Sequence, residues 1–175
     1  MDSIVFVELC ERLGMAMAIG AVIGIERHLH DQPAGLRTHV LVVLAAALSV
    51  LVVAPPGTPA AGILDAQSRV IQGLMTGVGF IGAGVILHSP RGHKIHGLTT
   101  AAAIWITAAF GALCGAGRFT IALLGLVGVV LALALGGPIE RGLRRRFGRK
   151  NESGSAQERS AKEPAPGAVK DQSAR

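Results

Sequence analysis

Histidine side chains gather at two places in the chain, each beside a long apolar segment. The first group contains His28, His30 and His39, and the second contains His88, His93 and His96. Imidazole groups brought together in this way could sense pH or bind a transition metal. Glu26 and Asp31 lie near the first group, but no HExxH-type spacing accompanies them, so the sequence does not predict an enzyme. The simplest interpretation is that these loop histidines are solvated.

Arg37 stands at the start of an apolar segment that runs to Ala54, where a permanent cation needs a partner. If a helix begins there, its N-terminus carries partial positive charge, and Thr38 is a suitable capping residue. Glu26 follows the preceding apolar segment, and a hairpin would bring it beside Arg37. We therefore expect an ion pair between Glu26 and Arg37. The alternative is an anion-binding site made by Arg37, the helix N-terminus and Thr99–Thr100.

Apolar segments long enough to cross a membrane must position these side chains. Of the 175 residues, 50% are hydrophobic and 24 are Gly. A membrane-spanning helix needs about 20 mostly apolar residues. Five segments approach or reach this length: Ile4–Ile25, Leu36–Ala54, Val70–Leu87, Leu98–Cys114 and Phe119–Gly136. The composition therefore predicts an all-α polytopic membrane protein with about five transmembrane helices.

The uneven distribution of Lys and Arg predicts how these helices are oriented. Basic residues concentrate in the first connection together with Arg37, in the third connection (88–97), and after the last span. These parts are expected in the cytoplasm, so the N-terminus is expected outside and the C-terminus inside. This topology also accounts for most of the net charge of +6, and we expect no nucleic-acid partner.

Composition divides the chain into three predicted parts. Residues 1–140 form the transmembrane domain, residues 141–150 a basic juxtamembrane segment, and residues 151–175 a disordered cytoplasmic tail. The basic segment would be attracted to an anionic leaflet, although its simplest role is to orient the last span. The tail contains too few apolar residues to form a core.

An internal repeat with an offset of 62 residues links the two halves of the transmembrane domain. Ile19–Ala21 falls on Ile81–Ala83, and Gly35, Leu36 and Thr38 fall on Gly97, Leu98 and Thr100. The repeat unit is a helix, a loop and a returning helix. Two spans separate the copies, so the sequence predicts two parallel helical hairpins plus one further helix.

Glycines predict which helix is central. Gly20 and Gly24 have GxxxG spacing, and the third apolar segment contains Gly73, Gly77, Gly79, Gly82 and Gly84. Helices associate in lipid through close backbone contact, which small residues permit. We expect the third span to lie at the centre, with neighbours on more than one side. A local break near Gly79–Gly84 would expose backbone carbonyl groups.

Three motifs occur in order along the chain: GxxIGIER with PAGLRTHVLV, then RVIQGLMTGVGFIGAGVIL, then HGLTTAAAIWITAAFG. Together they resemble the signature of the MgtC/SapB family of bacterial inner-membrane proteins, over roughly residues 15–137. The short tail resembles the class that lacks a folded C-terminal cytoplasmic domain. The motif residues that the resemblance implies are functional are Glu26, Arg27, Gly35, Arg37, Thr38, His39, Arg69, Gly77, Gly79, Gly82, Gly84, Gly97, Thr99, Thr100 and Trp105.

The resemblance implies a role in magnesium homeostasis, and members are associated with growth in scarce magnesium, acid tolerance and virulence. Our leading hypothesis is a small inner-membrane regulator or transport-associated protein. The alternatives are a Mg²⁺ permease in its own right and a pH- or metal-sensing membrane protein. Mg²⁺ transport would need oxygen ligands, yet the apolar cores of spans two to five contain no Asp or Glu. We expect no cofactor other than Mg²⁺, and as partners membrane lipids with a second copy or another membrane protein.

Overall fold

The computed structural model describes residues 3–59, 63–87 and 97–162, which form five α-helices. They are α1 (Ser3–Leu29), α2 (Leu36–Val53), α3 (Ile63–Leu87), α4 (Leu98–Gly115) and α5 (Phe119–Lys162). Four stretches within them are long and apolar enough to cross a membrane: Leu36–Val53, Ile63–Ile86, Leu98–Gly115 and Phe119–Glu140. The chain is an all-helical polytopic membrane protein, as predicted.

Charged residues account for two differences from the predicted spans: α1 is less apolar than expected, and α3 begins earlier than expected. α1 carries charges in its first half and again at Glu26 and Arg27, and it is not among the four apolar stretches. α3 begins at Ile63, well before the predicted Val70. Asp65 in its first turn complements the helix dipole and pairs with Arg69 one turn on, which favours the earlier start.

α4 lies at the centre of the described bundle and packs against α1, α2 and α3. Its buried residues run from Thr100 to Gly115. A Cβ atom added at Gly115 would lie 2.6 Å from the carbonyl oxygen of Ala47, and one added at Gly111 would overlap the carbonyl oxygen of Val43. These two glycines, four residues apart, allow the backbones of α2 and α4 to approach closely.

The prediction that the glycine-rich third span is central is therefore wrong for the single chain. A Cβ atom added at Gly73, Gly77, Gly79 or Gly84 would meet no atom within 4 Å. Gly82 is the exception, because its added Cβ would lie 3.4 Å from Ala101 of α4. The described helix runs without a break through this region. Its contact with the core comes instead from Val78, with Leu74, Met75 and Val85 beside it.

One interhelical contact recurs with the 62-residue offset of the repeat. A Cβ atom at Gly20 would lie 3.0 Å from the carbonyl oxygen of His39, and Gly82 faces Ala101 in the same way. Gly82 and Ala101 each lie 62 residues after Gly20 and His39, respectively. The α1–α2 and α3–α4 hairpins therefore share this register.

The chain divides by its contacts into Met1–Ala132 and Leu133–Arg175. All residues of the candidate site below belong to the first unit. α5 continues beyond residue 140 and extends to Lys162, within the segment predicted to be a disordered tail. The predicted boundaries at 140 and 150 remain predictions.

Candidate functional site

Buried polar side chains meet at one end of the bundle, where α1 ends and α2 and α4 begin. The buried face of α1 is made by Ala16, Ile19, Gly20, Ile23, Gly24 and Arg27. This spacing of three and four residues is that of one helix face, and Arg27 is its last member. Because Arg27 lies on this buried face, its guanidinium is inside the bundle, and only 4% of the residue is exposed.

Arg27 connects the first loop to the first turn of α4. Its Nη2 donates a hydrogen bond of 2.7 Å to Oε1 of Gln32, and Oγ1 of Thr100 lies 3.5 Å from the same nitrogen. Its Nε atom is buried without a hydrogen-bond partner among the described residues. Burial lowers the pKa of Arg27 and the charge of Glu26 opposes this, but a guanidinium remains cationic at physiological pH.

Glu26 supplies the carboxylate of this site, and its partners correct a prediction. Its Oε1 lies 3.1 Å from Nδ1 of His30, and its Oε2 lies 4.0 Å from Nη1 of Arg27. Arg37 is exposed and forms no described ion pair. The expected Glu26–Arg37 pair is therefore wrong, because the α1 face turns Arg27 inward while Arg37 lies on the outer side of α2.

His39 is fully buried, although it was expected among solvated loop histidines. Its Nδ1 lies 2.8 Å from Oγ1 of Thr107, and that hydroxyl donates its proton to the Ala103 carbonyl oxygen at 2.7 Å. A hydroxyl has one proton, so Nδ1 must donate to Thr107. In the neutral imidazole this leaves Nε2 unprotonated, and it has no partner among the described residues.

The other predicted site residues divide between the helix starts and the surface. Gly35 and Gly97 are the N-cap residues of α2 and α4, and neither helix has a side-chain cap hydrogen bond. Thr38, the expected cap of α2, is thus not its N-cap. Thr100 is buried, whereas Thr99, Trp105 and Arg69 are exposed. Gly97 has φ of 86°, a left-handed conformation that favours glycine.

The first predicted histidine group is split between the surface and the interior of the bundle. His28 and His30 are exposed, whereas His39 is buried in α2. His88, His93 and His96 lie outside the described residues. Within the described ranges, no three His, Cys, Asp or Glu side chains are placed to hold a metal ion.

A second polar feature, at the other end of α1, contains the Glu8–Arg12 pair, which is expected from their spacing of four residues. Nη1 of Arg12 donates a 2.7 Å hydrogen bond to the carbonyl oxygen of Gly115, and Nη2 pairs with Glu8. A cation there complements the C-terminus of α4. Glu8 and Arg12 border a cavity of about 570 Å³ that Phe119 also lines.

The sequence profile of the MgtC family matches residues 13–142, which include the whole polar site around Arg27. The chain belongs to the MgtC family. Among the relatives of this MgtC-family chain is SrpB of Synechococcus elongatus, which is 44% identical over 70% of this chain and 71% of SrpB.

Two further relatives are longer than this chain, and the name of the first bears on function. The protein named putative magnesium transporter YhiD of Escherichia coli K12 is 45% identical over 67% of this chain and 55% of its own length. Protein MgtC of Salmonella typhimurium LT2 is 39% identical over 67% of this chain. The MgtC-family chain spans about half the length of these two proteins, 55% and 47%. No solved structure matches it.

Proposed function

We propose that this protein serves magnesium homeostasis as a membrane regulator of transport, acting by binding and not by catalysis, and that it is not itself the permease. Family membership and the name of YhiD support the connection to magnesium. The observation that carries the regulator role is the charge of the buried polar site. Its centre is the guanidinium of Arg27, surrounded by the hydroxyl of Thr100 and the amide of Gln32.

A Mg²⁺ pathway requires carboxylate and carbonyl oxygens with room for retained waters. The guanidinium of Arg27 and the carboxylate of Glu26 together carry no net charge, so this junction of three helices does not offer the net negative charge that binds a divalent cation. Glu26 is the carboxylate nearest to Arg27: its Oε1 lies 3.1 Å from Nδ1 of His30, and its Oε2 lies 4.0 Å from Nη1 of Arg27 and makes no hydrogen bond to a described residue. The alternative, a permease, therefore has less support from the geometry.

Flux measurements separate the two functions. Proteoliposomes that contain the purified full chain and no other protein are loaded with a Mg²⁺ indicator and exposed to a Mg²⁺ gradient. We expect the same influx as in empty liposomes, with an ionophore confirming that the indicator responds. Influx that saturates with Mg²⁺ concentration, and that requires the folded protein, would establish the permease and contradict the regulator.

We also propose the predicted sidedness, in a bacterial inner membrane. The basic connections support a cytoplasmic first loop, third loop and C-terminus, with the N-terminus outside. Reporter fusions at Pro33, Gly92 and Ser155 should score cytoplasmic, and a fusion at Gly57 periplasmic. A periplasmic result at Gly92 would contradict both the orientation and the parallel repeat.

A second copy of this chain is the partner that we propose for the outer face of α3. Asp65, Arg69, Gly73 and Gly77 recur every fourth residue on this face, followed by Phe80, which is 84% exposed, and Gly84. In a two-fold pair of parallel α3 helices each residue lies at the level of its own copy, so the glycines allow the backbones to approach and the Asp65–Arg69 pair of each helix lies beside that of the other. The face is therefore complementary to itself in charge and shape.

Disulfide crosslinking in native membranes tests this pairing. With Cys10 and Cys114 replaced by Ser, a cysteine at Thr76 on this face should give covalent dimers, and Gly77→Leu should abolish them. A cysteine at Leu124, which is also exposed but lies on α5, is the control and should stay monomeric. Equal crosslinking at both positions would contradict a dimer through α3.

A further inference from the structure

Two polar side chains, Gln72 and Thr76, lie one turn apart on the outer face of α3. Both are exposed, and both belong to a stretch that is apolar enough to cross a membrane. Polar groups that face lipid are costly, so in membrane proteins they usually meet a partner. This outer face is the surface proposed for a second copy, and a role in pairing for either residue rests on that dimer.

The hydroxyl of Thr76 already has a partner inside α3. It donates a hydrogen bond of 2.9 Å to the backbone carbonyl oxygen of Gln72. The side-chain amide of Gln72 makes no hydrogen bond to any described residue. An amide has two N–H donors and an acceptor oxygen, and lipid offers a partner to neither. Of the two residues, Gln72 is therefore the one that needs a partner from outside the chain.

The depth of Gln72 follows from the contact between α3 and α4. A Cβ atom added at Gly82 would lie 3.4 Å from Cβ of Ala101, and these consecutive membrane-crossing helices run in opposite directions. Gln72 precedes Gly82 by ten residues and Gly111 follows Ala101 by ten, so Gln72 and Gly111 lie at the same level. Gly111 is about 6 Å inside the C-terminal end of the α4 stretch. Gln72 therefore lies within the apolar layer.

The symmetry of a membrane dimer decides what Gln72 meets. Two copies of one chain insert with the same orientation, so their α3 helices run parallel. A two-fold axis along the membrane normal then places each residue opposite its own counterpart. Like charges would repel in this arrangement. A glutamine suits it, because its amide is both donor and acceptor and can bond reciprocally with a second glutamine.

The residues around Gln72 permit the two helices to approach. Gly73 follows directly and Gly77 lies one turn further on, and a Cβ atom added at either would meet no atom of the same chain within 4 Å. Asp65 and Arg69 form an ion pair within each copy, so the two pairs carry no net charge toward each other. Close approach at the glycines brings the two amides within hydrogen-bonding reach.

We propose that Gln72 of one copy and Gln72 of a second copy form a reciprocal pair of hydrogen bonds, in which Nε2 of each donates to Oε1 of the other. The pair selects the parallel, in-register dimer, because an axial shift along α3 would leave both amides in lipid without partners. The contact is independent of whether the protein regulates transport or moves Mg²⁺ itself, because it concerns only the two copies.

Charge variants test whether the two glutamines face each other. Two differently tagged full chains, each with Cys10 and Cys114 replaced by Ser and a cysteine at Thr76, are expressed singly or together and oxidised in native membranes. Gln72→Glu alone and Gln72→Lys alone should give few dimers, because like charges then meet in the apolar layer. Expression of the two variants together should restore dimers, and these should contain one chain of each kind.

Removing the amide tests how much the pair contributes. In Gln72→Leu, the dimer fraction at several protein-to-lipid ratios should show association weakened by roughly threefold to tenfold, as expected for one or two hydrogen bonds between membrane helices. Thr120→Leu is the matched control, because Thr120 is an exposed polar residue on α5, and it should leave the dimer fraction unchanged.

Two results would overturn the glutamine pair and leave the α3 dimer in place. One is a wild-type dimer fraction in Gln72→Leu, and the other is no preference for mixed dimers when Gln72→Glu and Gln72→Lys are expressed together. Absence of crosslinking at Thr76 with wild-type Gln72 would overturn both the dimer and the pair. The flux measurement in proteoliposomes tests the regulator role separately, and its outcome does not bear on the pair.

Discussion

Nδ1 of His39 on α2 and Oγ1 of Thr107 on α4 lie 2.8 Å apart, and neither residue is exposed to solvent. The same hydroxyl donates to the carbonyl oxygen of Ala103 within α4. The pair joins the two most closely packed helices just inside the polar site. The hydroxyl proton of Thr107 is donated to Ala103, so the hydrogen bond to Thr107 requires the His39 tautomer that is protonated at Nδ1.

Removing the Thr107 hydroxyl should destabilise the fold by about 1–2 kcal/mol, because Nδ1 of His39 would then be buried without an acceptor. Unfolding of Thr107→Val in mixed micelles measures the loss. Ser49→Ala is the control, since Ser49 makes the same kind of bond to the carbonyl oxygen four residues back, that of Ala45, and this bond is exposed. The double variant His39→Leu with Thr107→Val should lose less than the sum of the single variants; additive losses would show that the bond is not stabilising.

Alanine at Gly111 or Gly115 should reduce folded protein sharply. Each added methyl group would collide with a backbone carbonyl oxygen of α2, which cannot move without separating the helices. Gly128→Ala, on α5, meets no atom within 4 Å and should be tolerated or slightly stabilising, because alanine favours helix by about 1 kcal/mol over glycine. Yield of monodisperse protein in detergent compares the three variants. Similar yields would indicate that α2 and α4 do not pack at backbone distance.

Arg12→Gln should destabilise the bundle by roughly 1–3 kcal/mol, because the cation that caps the C-terminal carbonyl of Gly115 is lost. Arg118→Gln serves as the control, because Arg118 is an exposed arginine that follows Gly115 by three residues. Thermal unfolding in detergent measures both. The effect of Arg12→Gln should persist in high salt, since its side chain is only 13% exposed.

Double-mutant cycles test whether Glu26 is coupled in stability to Arg27 or to Arg37. Glu26→Gln should be destabilising, because it leaves the charge of Arg27 uncompensated in a buried position. Combined with Arg27→Gln, it should lose at least about 1 kcal/mol less than the sum of the single changes. Combined with Arg37→Gln, the effects should add within about 0.5 kcal/mol. Coupling to Arg37 instead would restore the ion pair that the structure contradicts.

The number and positions of the helices could be predicted because long apolar segments must satisfy their backbone within themselves in lipid. The polar site was predicted only in part. Motif resemblance singled out Arg27, His39 and Thr100, but the reasoning from charge chose Arg37. The missed signal was the register of α1, in which Arg27 continues the row of Ile19, Ile23 and their neighbours.

The centre of the bundle could not be found by counting glycines. A glycine permits a neighbouring helix to approach closely, but its presence does not predict which helix approaches or whether any helix does. In α3 the glycines fall on opposite faces, so Gly82 meets α4 while Gly77 meets no described atom. In α4 two glycines, Gly111 and Gly115, lie on one face with alanines opposite, and that matched pair of surfaces decides the packing.

The contrast between α4 and α5 has a consequence for how the chain is made. α5 is the most apolar of the four membrane-crossing stretches and the least buried, whereas α4 is the most buried. By the time α4 leaves the ribosome, α1, α2 and α3, against which it packs most extensively, have been synthesised, while its contact between Phe110 and Gly125 of α5 is still to form. α4 can therefore enter the bilayer against preformed protein surface, while α5 can partition into lipid alone. Nascent chains halted directly after α4 should already be protease-resistant, and those halted after α3 should not.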